Sequence, residues 1–346
     1  MMDSNMRHKD SIDMAVVGGG SWGTALAHLL AVKGHRVALW VYEREVFRQI
    51  EAGRENKTFL PGVTLPPELK AVSDIQEAVA GKPVVVIVVP SHVMRRVSAS
   101  MAPFLAPDCI VVSASKGIEN RTHLTMSGVL RETLPDVSPE RLAVLSGPSF
   151  AKEVAAKAPT AVTVAARGRE CARAVQRIFA TDYFRVYTNE DVVGVELGGS
   201  IKNVIAIAAG MIDGLNLGLN TRAALITRGL TEIRRLGLKL GANPRTFTGL
   251  AGVGDLVLTC TGTLSRNHMV GKKLGEGSSL KEILAEMQMV AEGVKTAKSV
   301  YNLSRRLEVE MPICHAVYRI LYEDLKPAQA LYQLMTRDLR SELDEV

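Results

Sequence analysis

Uninterrupted apolar stretches are short in this chain of 346 residues. None approaches the roughly 18 residues of a membrane span, so stable membrane insertion is not expected. The polar opening, MMDSNMRHKDSI, has no apolar core behind its basic residues, so it reads as a flexible tail over residues 1–12 and no secretory signal is expected in it. Cysteine is equally sparse. Cys109, Cys171, Cys260 and Cys314 lie far apart and form no C-x-x-C pair. They build neither a zinc site nor a disulfide framework, so no metal is expected and a reducing, cytoplasmic setting fits. Internal repeats and low-complexity segments are also missing. A strong excess of one charge is missing too: 42 basic residues face 36 acidic ones, for a net charge of +6. The pI near 9.1 passes a crude screen for nucleic-acid binding. The basic residues are scattered among acidic ones, however, and an anionic small substrate accounts for the excess as well as a polyanion does.

What is present is an ordinary globular balance, with 47% hydrophobic and 23% charged residues, in a chain long enough for two domains. The first half alternates helical stretches with runs that are apolar on both faces: 14–18, 36–41, 84–89, 109–114 and 142–147, with further candidates at 160–166 and 183–188. Such runs between helices mark a parallel sheet covered on both sides. Beyond about residue 190 the pattern turns helical, over 194–213, 221–241, 279–304 and 327–344. Asn189 and Asp191 are good helix-capping types at that change. The expected fold class is α/β: a Rossmann-type, doubly wound, mostly parallel sheet over 13–190, followed by an all-helical domain over 191–346.

Gly18, Gly20 and Gly23 satisfy G-x-G-x-x-G directly after the first strand and at the opening of a helix. The three glycines serve a tight turn, close approach of a pyrophosphate, and close packing of helix on sheet. The helix N-terminus then offers N–H groups and its positive dipole end to phosphate. A glycine-rich turn without a ligand is the plainer alternative. Glu43, 20 residues beyond Gly23, stands where an acid bonds the ribose hydroxyls of NAD, whereas Arg44 would hold the extra phosphate of NADP. The cofactor is therefore NAD or NADP.

Lys202 lies in a helical stretch whose neighbours on the same face are Val195, Gly198, Gly199, Ile205, Ala206 and Ala209, none of them polar. Burial there lowers a lysine's pKa and suits a general acid/base; the alternative is a lysine that snorkels from a helix rim. Asp255 is a glycine-flanked acid in an apolar context. Ser265, Arg266 and Asn267 follow as phosphate-binding types, although Ser265 equally suits a helix cap. Lys116, and Gly147 to Ser149, follow strands at the carboxyl edge of the sheet, where ligands of open α/β sheets bind. His92 follows a strand without an evident carboxylate partner, Cys260 reads as a small core residue, and Trp22 as packing beside the cofactor.

These motifs converge. GGGSWGTALA, PSH, SKGIE, SGPSFAKE, LGGSIKNVIAI, GVGDLVLTC, SRN and MPI, in this order, resemble the bacterial NAD(P)-dependent glycerol-3-phosphate dehydrogenases over about residues 13–335. The resemblance implies that Lys202 is the catalytic acid/base. It implies substrate binding by Lys116, Gly147, Ser149, Lys202, Asp255, Ser265, Arg266 and Asn267. Cofactor contacts are implied at Gly18, Gly20, Ser21, Trp22, Gly23, Tyr42, Glu43, Lys116, Ala151, Arg266, Val290 and Glu292. It further implies glycerol 3-phosphate or dihydroxyacetone phosphate as substrate, a cytoplasmic homodimer, no nucleic-acid partner, and a role in supplying phospholipid synthesis. Gly19 replaces the usual alanine, and Ala291 a commoner valine. Dehydrogenases of β-hydroxy acids or of 6-phosphogluconate share the layout and a helix lysine after glycines. A dinucleotide sensor would not need Lys202 at all.

Overall fold

The computed structural model describes residues 11–287, 290–339 and 341–342. Two compact units divide the chain: residues up to Ser115 with Met126–Val192, and Lys116–Thr125 with Val193 onward. The hairpin Lys116–Thr125 thus belongs with the helices rather than with the sheet that precedes it in sequence.

The first unit is built on eight strands, β1 (Asp13–Val17), β2 (Arg36–Trp40), β3 (Leu69–Val72), β4 (Val84–Ile87), β5 (Ile110–Ser113), β6 (Leu142–Ser146), β7 (Thr160–Ala166) and β8 (Phe184–Asn189). Their spatial order is β3-β2-β1-β4-β5-β6-β7-β8. The first six run parallel, and β7 pairs antiparallel with β6 and parallel with β8. This is a Rossmann-type sheet extended by two reversed strands. Helices α1 (Ser21–Val32), α2 (Arg44–Gly53), α3 (Ile75–Val79), α4 (Met94–Met101), α5 (Met126–Thr133), α6 (Ala151–Ala155) and α7 (Arg169–Phe179) connect the strands. Side chains of α1, α2 and α7 share one core with the strands. Leu26, Leu29 and Leu30 of α1 are fully buried there, each contributing about 1.5–3 kcal/mol.

Seven of these strands are legible as apolar runs; β3 is not. It is four residues long, its Lys70 is exposed, and it forms the sheet's edge, where one flank needs no apolar cover. The tail expected over 1–12 lies outside the described residues as far as residue 10. Ser11 and Ile12 are held, by Ser11 Oγ donating to Gly34 O and by Ile12 packing on the core.

The second unit holds α8 (Val192–Gly214), α9 (Gly218–Lys239), α10 (Asp255–Thr261), α11 (Arg266–Gly275), α12 (Leu280–Glu286), α13 (Glu292–Arg306), α14 (Pro312–Tyr322) and α15 (Pro327–Met335). Every residue of α8 from Gly194 to Ile212 is buried, as expected of a helix that is apolar all round. By length and composition alone α8 is apolar enough to cross a membrane, although charged and polar residues interrupt its apolar runs; 89% of its most apolar stretch is buried in the fold. The helix expected over 279–304 is two helices. The chain is extended at Met287 and again at Ala291, and neither glycine nor proline announces the break. The last expected helix ends at Met335 rather than 344, and Arg340 and 343–346 lie outside the described residues.

Candidate active site

In the sheet unit the chain leaves β1 at Val17 and turns through Gly18, whose φ of +126° is open only to glycine in practice. A Cβ on Gly18 would also lie 2.5 Å from Val88 O, and one on Gly23 would lie 1.9 Å from Gly18 O. Only hydrogen fits at either position, so turn and helix close tightly. Gly20 differs: a Cβ there would meet nothing within 4 Å. It is the N-cap of α1 and brings no side chain to the first-turn N–H groups. Open space over a helix N-terminus is what a pyrophosphate requires, so the residues present fit a dinucleotide. An alanine at position 19 would press its Cβ to 3.0 Å from both methyls of Val41, so glycine relaxes this contact.

Tyr42, Glu43 and Arg44 are exposed just after β2, with Glu43 the N-cap of α2. Trp22 is part-buried against the core, and Ala151 opens α6 nearby, in the same small cluster. Past β6, Gly147 has φ +138° and its carbonyl accepts from Ser149 Oγ at 3.0 Å. His92 is exposed in a short turn after β4.

In the helical unit, Lys202 is 5% exposed and does not snorkel. Its Nζ donates to Asp255 Oδ1 and, at 2.8 Å, to Thr259 Oγ1. Lys116 Nζ donates to the other carboxylate oxygen, Asp255 Oδ2, at 2.7 Å. Two ammonium groups therefore share one buried carboxylate. Thr259 Oγ1 in turn donates to Asp255 O at 2.6 Å, which fixes the hydroxyl in place. Burial is the largest influence on Lys202 and, helped by Lys116, outweighs Asp255; the lysine is pulled down to about 7. An amine poised near neutrality serves equally as proton donor and acceptor.

Packing explains how these groups meet. A Cβ on Gly198, one turn before Lys202, would lie 2.4 Å from Ala251 O. The small face of α8 thus admits the turn Leu250–Gly254, and that turn delivers Asp255 to the lysine. Ser200 Oγ accepts from Gly117 N at 2.9 Å and donates to Gly117 O, holding Lys116 in position.

Ser265 caps α11 by accepting the His268 N–H, and Arg266 follows at the first helical position. Burial holds Arg266 below the ordinary arginine value, with Glu292 offsetting part of the shift. Asn267 Oδ1 accepts the Gly293 N–H at 2.9 Å, joining the start of α11 to the start of α13, beside Glu292. Val290 is exposed just before that helix. Cys260 is fully buried and its thiol is pushed up to about 12, chiefly by burial, which suits a core residue and not a nucleophile.

Thr259 and Ser200 escaped sequence reading because single hydroxyls carry no spacing signal. Thr259 stands one helical turn after Asp255, the only hint available. Asn56 was missed as well. Its amide Nδ2 donates to Gly19 O and to Thr24 Oγ1, both at 2.8 Å.

A Rossmann-type sheet with this glycine loop, joined in one chain to a helical unit carrying a buried, near-neutral lysine, defines a dinucleotide-dependent dehydrogenase. Two family descriptions match the chain: NAD-dependent glycerol-3-phosphate dehydrogenase N-terminus over residues 13–172, and C-terminus over 191–332. The chain belongs to that family. It is 57% identical over 331 residues to glycerol-3-phosphate dehydrogenase [NAD(P)+] of Syntrophobacter fumaroxidans, covering 96% of this chain and 97% of that protein. With the Geobacter sulfurreducens enzyme of the same name it shares 58% over 329 residues, 95% of this chain and 98% of that one. The crystal structure of glycerol-3-phosphate dehydrogenase from Coxiella burnetii superposes with a TM-score of 0.91 at 42% identity, covering 94% and 99% of the two chains.

Proposed function

We propose that this chain catalyses reversible hydride transfer between NAD(P)H and carbon 2 of dihydroxyacetone phosphate, forming sn-glycerol 3-phosphate. The observation that carries the reading is the Lys116–Asp255–Lys202–Thr259 cluster, a proton relay built around one buried amine. A bound dinucleotide supplies the hydride donor or acceptor. Lys202 Nζ gives its proton to the carbon-2 oxygen during reduction and takes it back during oxidation. Asp255 holds Lys202 in line, and Lys116 keeps its partner's charge poised. Arg266, with Ser265 and Asn267, receives the phosphate and so fixes the reacting carbon. Gly147 and Ser149 complete the substrate contacts.

On this reading residues 13–190 carry the cofactor, through Gly18, Gly20, Ser21, Trp22, Gly23, Tyr42, Glu43 and Ala151. Residues 191–346 carry the substrate and the acid/base, with Arg266, Val290 and Glu292 also reaching the dinucleotide. The enzyme is a cytoplasmic homodimer that supplies the glycerol phosphate backbone of phospholipids.

The test is a steady-state assay of dihydroxyacetone phosphate reduction with NADH and with NADPH, run against β-hydroxy acid partners. Turnover confined to the hydroxy acids would overturn the substrate assignment. Lys202→Met should lower kcat roughly 100- to 10,000-fold while cofactor affinity holds. A near-normal kcat in that variant would remove Lys202 from the chemistry.

A further inference from the structure

We infer that Asn56, far from the glycines in sequence, is the positioning residue that makes the glycine loop a phosphate site. The inference rests on the cofactor reading above. Asn56 and Thr24 are both fully buried. Asn56 Nδ2 spends one N–H on Gly19 O and the other on Thr24 Oγ1, each at 2.8 Å. Its Oδ1 accepts the Phe59 N–H at 2.9 Å, and Thr24 Oγ1 donates to Gly19 O at 3.2 Å. Every donor of the amide is used, and Gly19 O receives two bonds from behind the loop.

The consequence follows from peptide geometry. Gly19 and Gly20 flank a peptide that rotates more freely than any other type, because neither neighbour has a Cβ. Rotated one way, that peptide shows an incoming phosphate an N–H; rotated the other way, it shows a carbonyl oxygen and repels it. A trans peptide directs its C=O and N–H to opposite sides. With Gly19 O clamped inward by Asn56 and Thr24, the Gly20 N–H is turned to the opposite side. Around Gly20 a Cβ would find open space, with nothing within 4 Å. The clamp is itself anchored. Glu55 and Thr64 bridge across the loop that carries Asn56, and Leu60 packs with Ala25 of α1. With both amide donors and its oxygen bonded inside the protein, Asn56 acts through the Gly19–Gly20 peptide.

The experiment compares ligands with and without a pyrophosphate. In Asn56→Ala, the Kd values of NADH and ADP-ribose, measured by fluorescence titration and competition, should rise about tenfold or more, the loss of one to two buried hydrogen bonds. Adenosine, which has no phosphate, should bind that variant as it binds the wild type. A site that had merely collapsed would lose adenosine equally, and that result overturns the inference, as does unchanged NADH affinity. Should Asn56→Ala fail to fold, Thr24→Val and Thr24→Ser decide the matter. The valine variant should lose pyrophosphate ligands selectively and the serine variant should keep them; equal affinities in both would sink the idea. A wild-type protein that binds no NADH or NADPH would instead defeat the cofactor reading itself.

Discussion

At the scale of single residues, the chemistry turns on how three charges share one buried place. Lys202 is pulled down to about 7 by burial, with Asp255 opposing and Lys116 assisting. Reduction of a carbonyl needs the ammonium form, so the reductive kcat/KM should fall as pH rises through about 7; oxidation needs the amine, so its limb should rise over the same range. Lys116→Met removes a cation that disfavours the charged form of Lys202, and both limbs should move to higher pH. Limbs that stay in place in pH–rate profiles would separate Lys116 from this tuning. Arg266 is a different case, since the proposed function has it act by binding. Loss of a charge-assisted pair worth about 1.5–3 kcal/mol should raise KM for dihydroxyacetone phosphate roughly 10- to 150-fold in Arg266→Ala. An unchanged KM would place the phosphate elsewhere. Both residues stand out in the sequence: Lys202 because its helical neighbours are apolar, Arg266 because serine and asparagine flank it. Thr259, which accepts from Lys202, and Ser200, which bonds the Gly117 backbone, do not stand out, because a hydroxyl's role depends on what folds against it.

At the scale of elements, backbone contact governs the helical unit. A Cβ on Gly271 of α11 would lie 1.9 Å from Ile207 O of α8, and one on Gly210 would lie 2.0 Å from His268 O. Helices α8 and α11 thus meet backbone to backbone, which holds the Arg266 turn against the helix that carries Lys202. A buried acid organises the far side. Both oxygens of Glu232, which is 2% exposed, accept N–H groups at the start of α14, from Ile313 at 2.6 Å and Cys314 at 3.0 Å. Burial nevertheless raises Glu232 to about 7, against the bonds that favour its charged form. The folded state therefore binds a proton that the unfolded chain releases near 4.5, so this group's stabilisation is full at low pH and is lost as pH rises to about 7. Glu232→Gln does not titrate. In urea unfolding, wild type should gain on that variant by up to about 3 kcal/mol between pH 8 and pH 5. Parallel pH dependences would show that Glu232 ionises normally. Nothing in the sequence singles out this glutamate, since a helix N-terminus built from another element is invisible in a linear pattern. The strand β3 and the break before α13 were hidden for related reasons: one is short and half-solvated, the other lacks glycine or proline.

At the scale of the whole molecule, the proposed function divides the labour between two units, with the cofactor mainly on the sheet and the acid/base and phosphate contacts on the helices. Hydrogen exchange should show NADH protecting the glycine loop and the start of α1, and glycerol 3-phosphate protecting the hairpin after Lys116 and the first turn of α11. Protection by NADH confined to the helical unit would contradict the division. At 100 times Kd either ligand stabilises its folded unit by about 2.7 kcal/mol, enough to be read in a thermal melt. The sequence by itself determined the α/β class, the change to helices, the glycine loop and the lysine on an apolar helix face that we propose as the acid/base. Each is written in local periodicity, or in residue types at fixed spacing along one element. Only the tertiary structure decided that Lys116 leaves the sheet to join Asp255, that Lys202 is sealed rather than snorkelling, and that Asn56 stands behind the glycine loop. Those depend on which backbones approach closely enough to exclude water, and no spacing along a single chain encodes that approach.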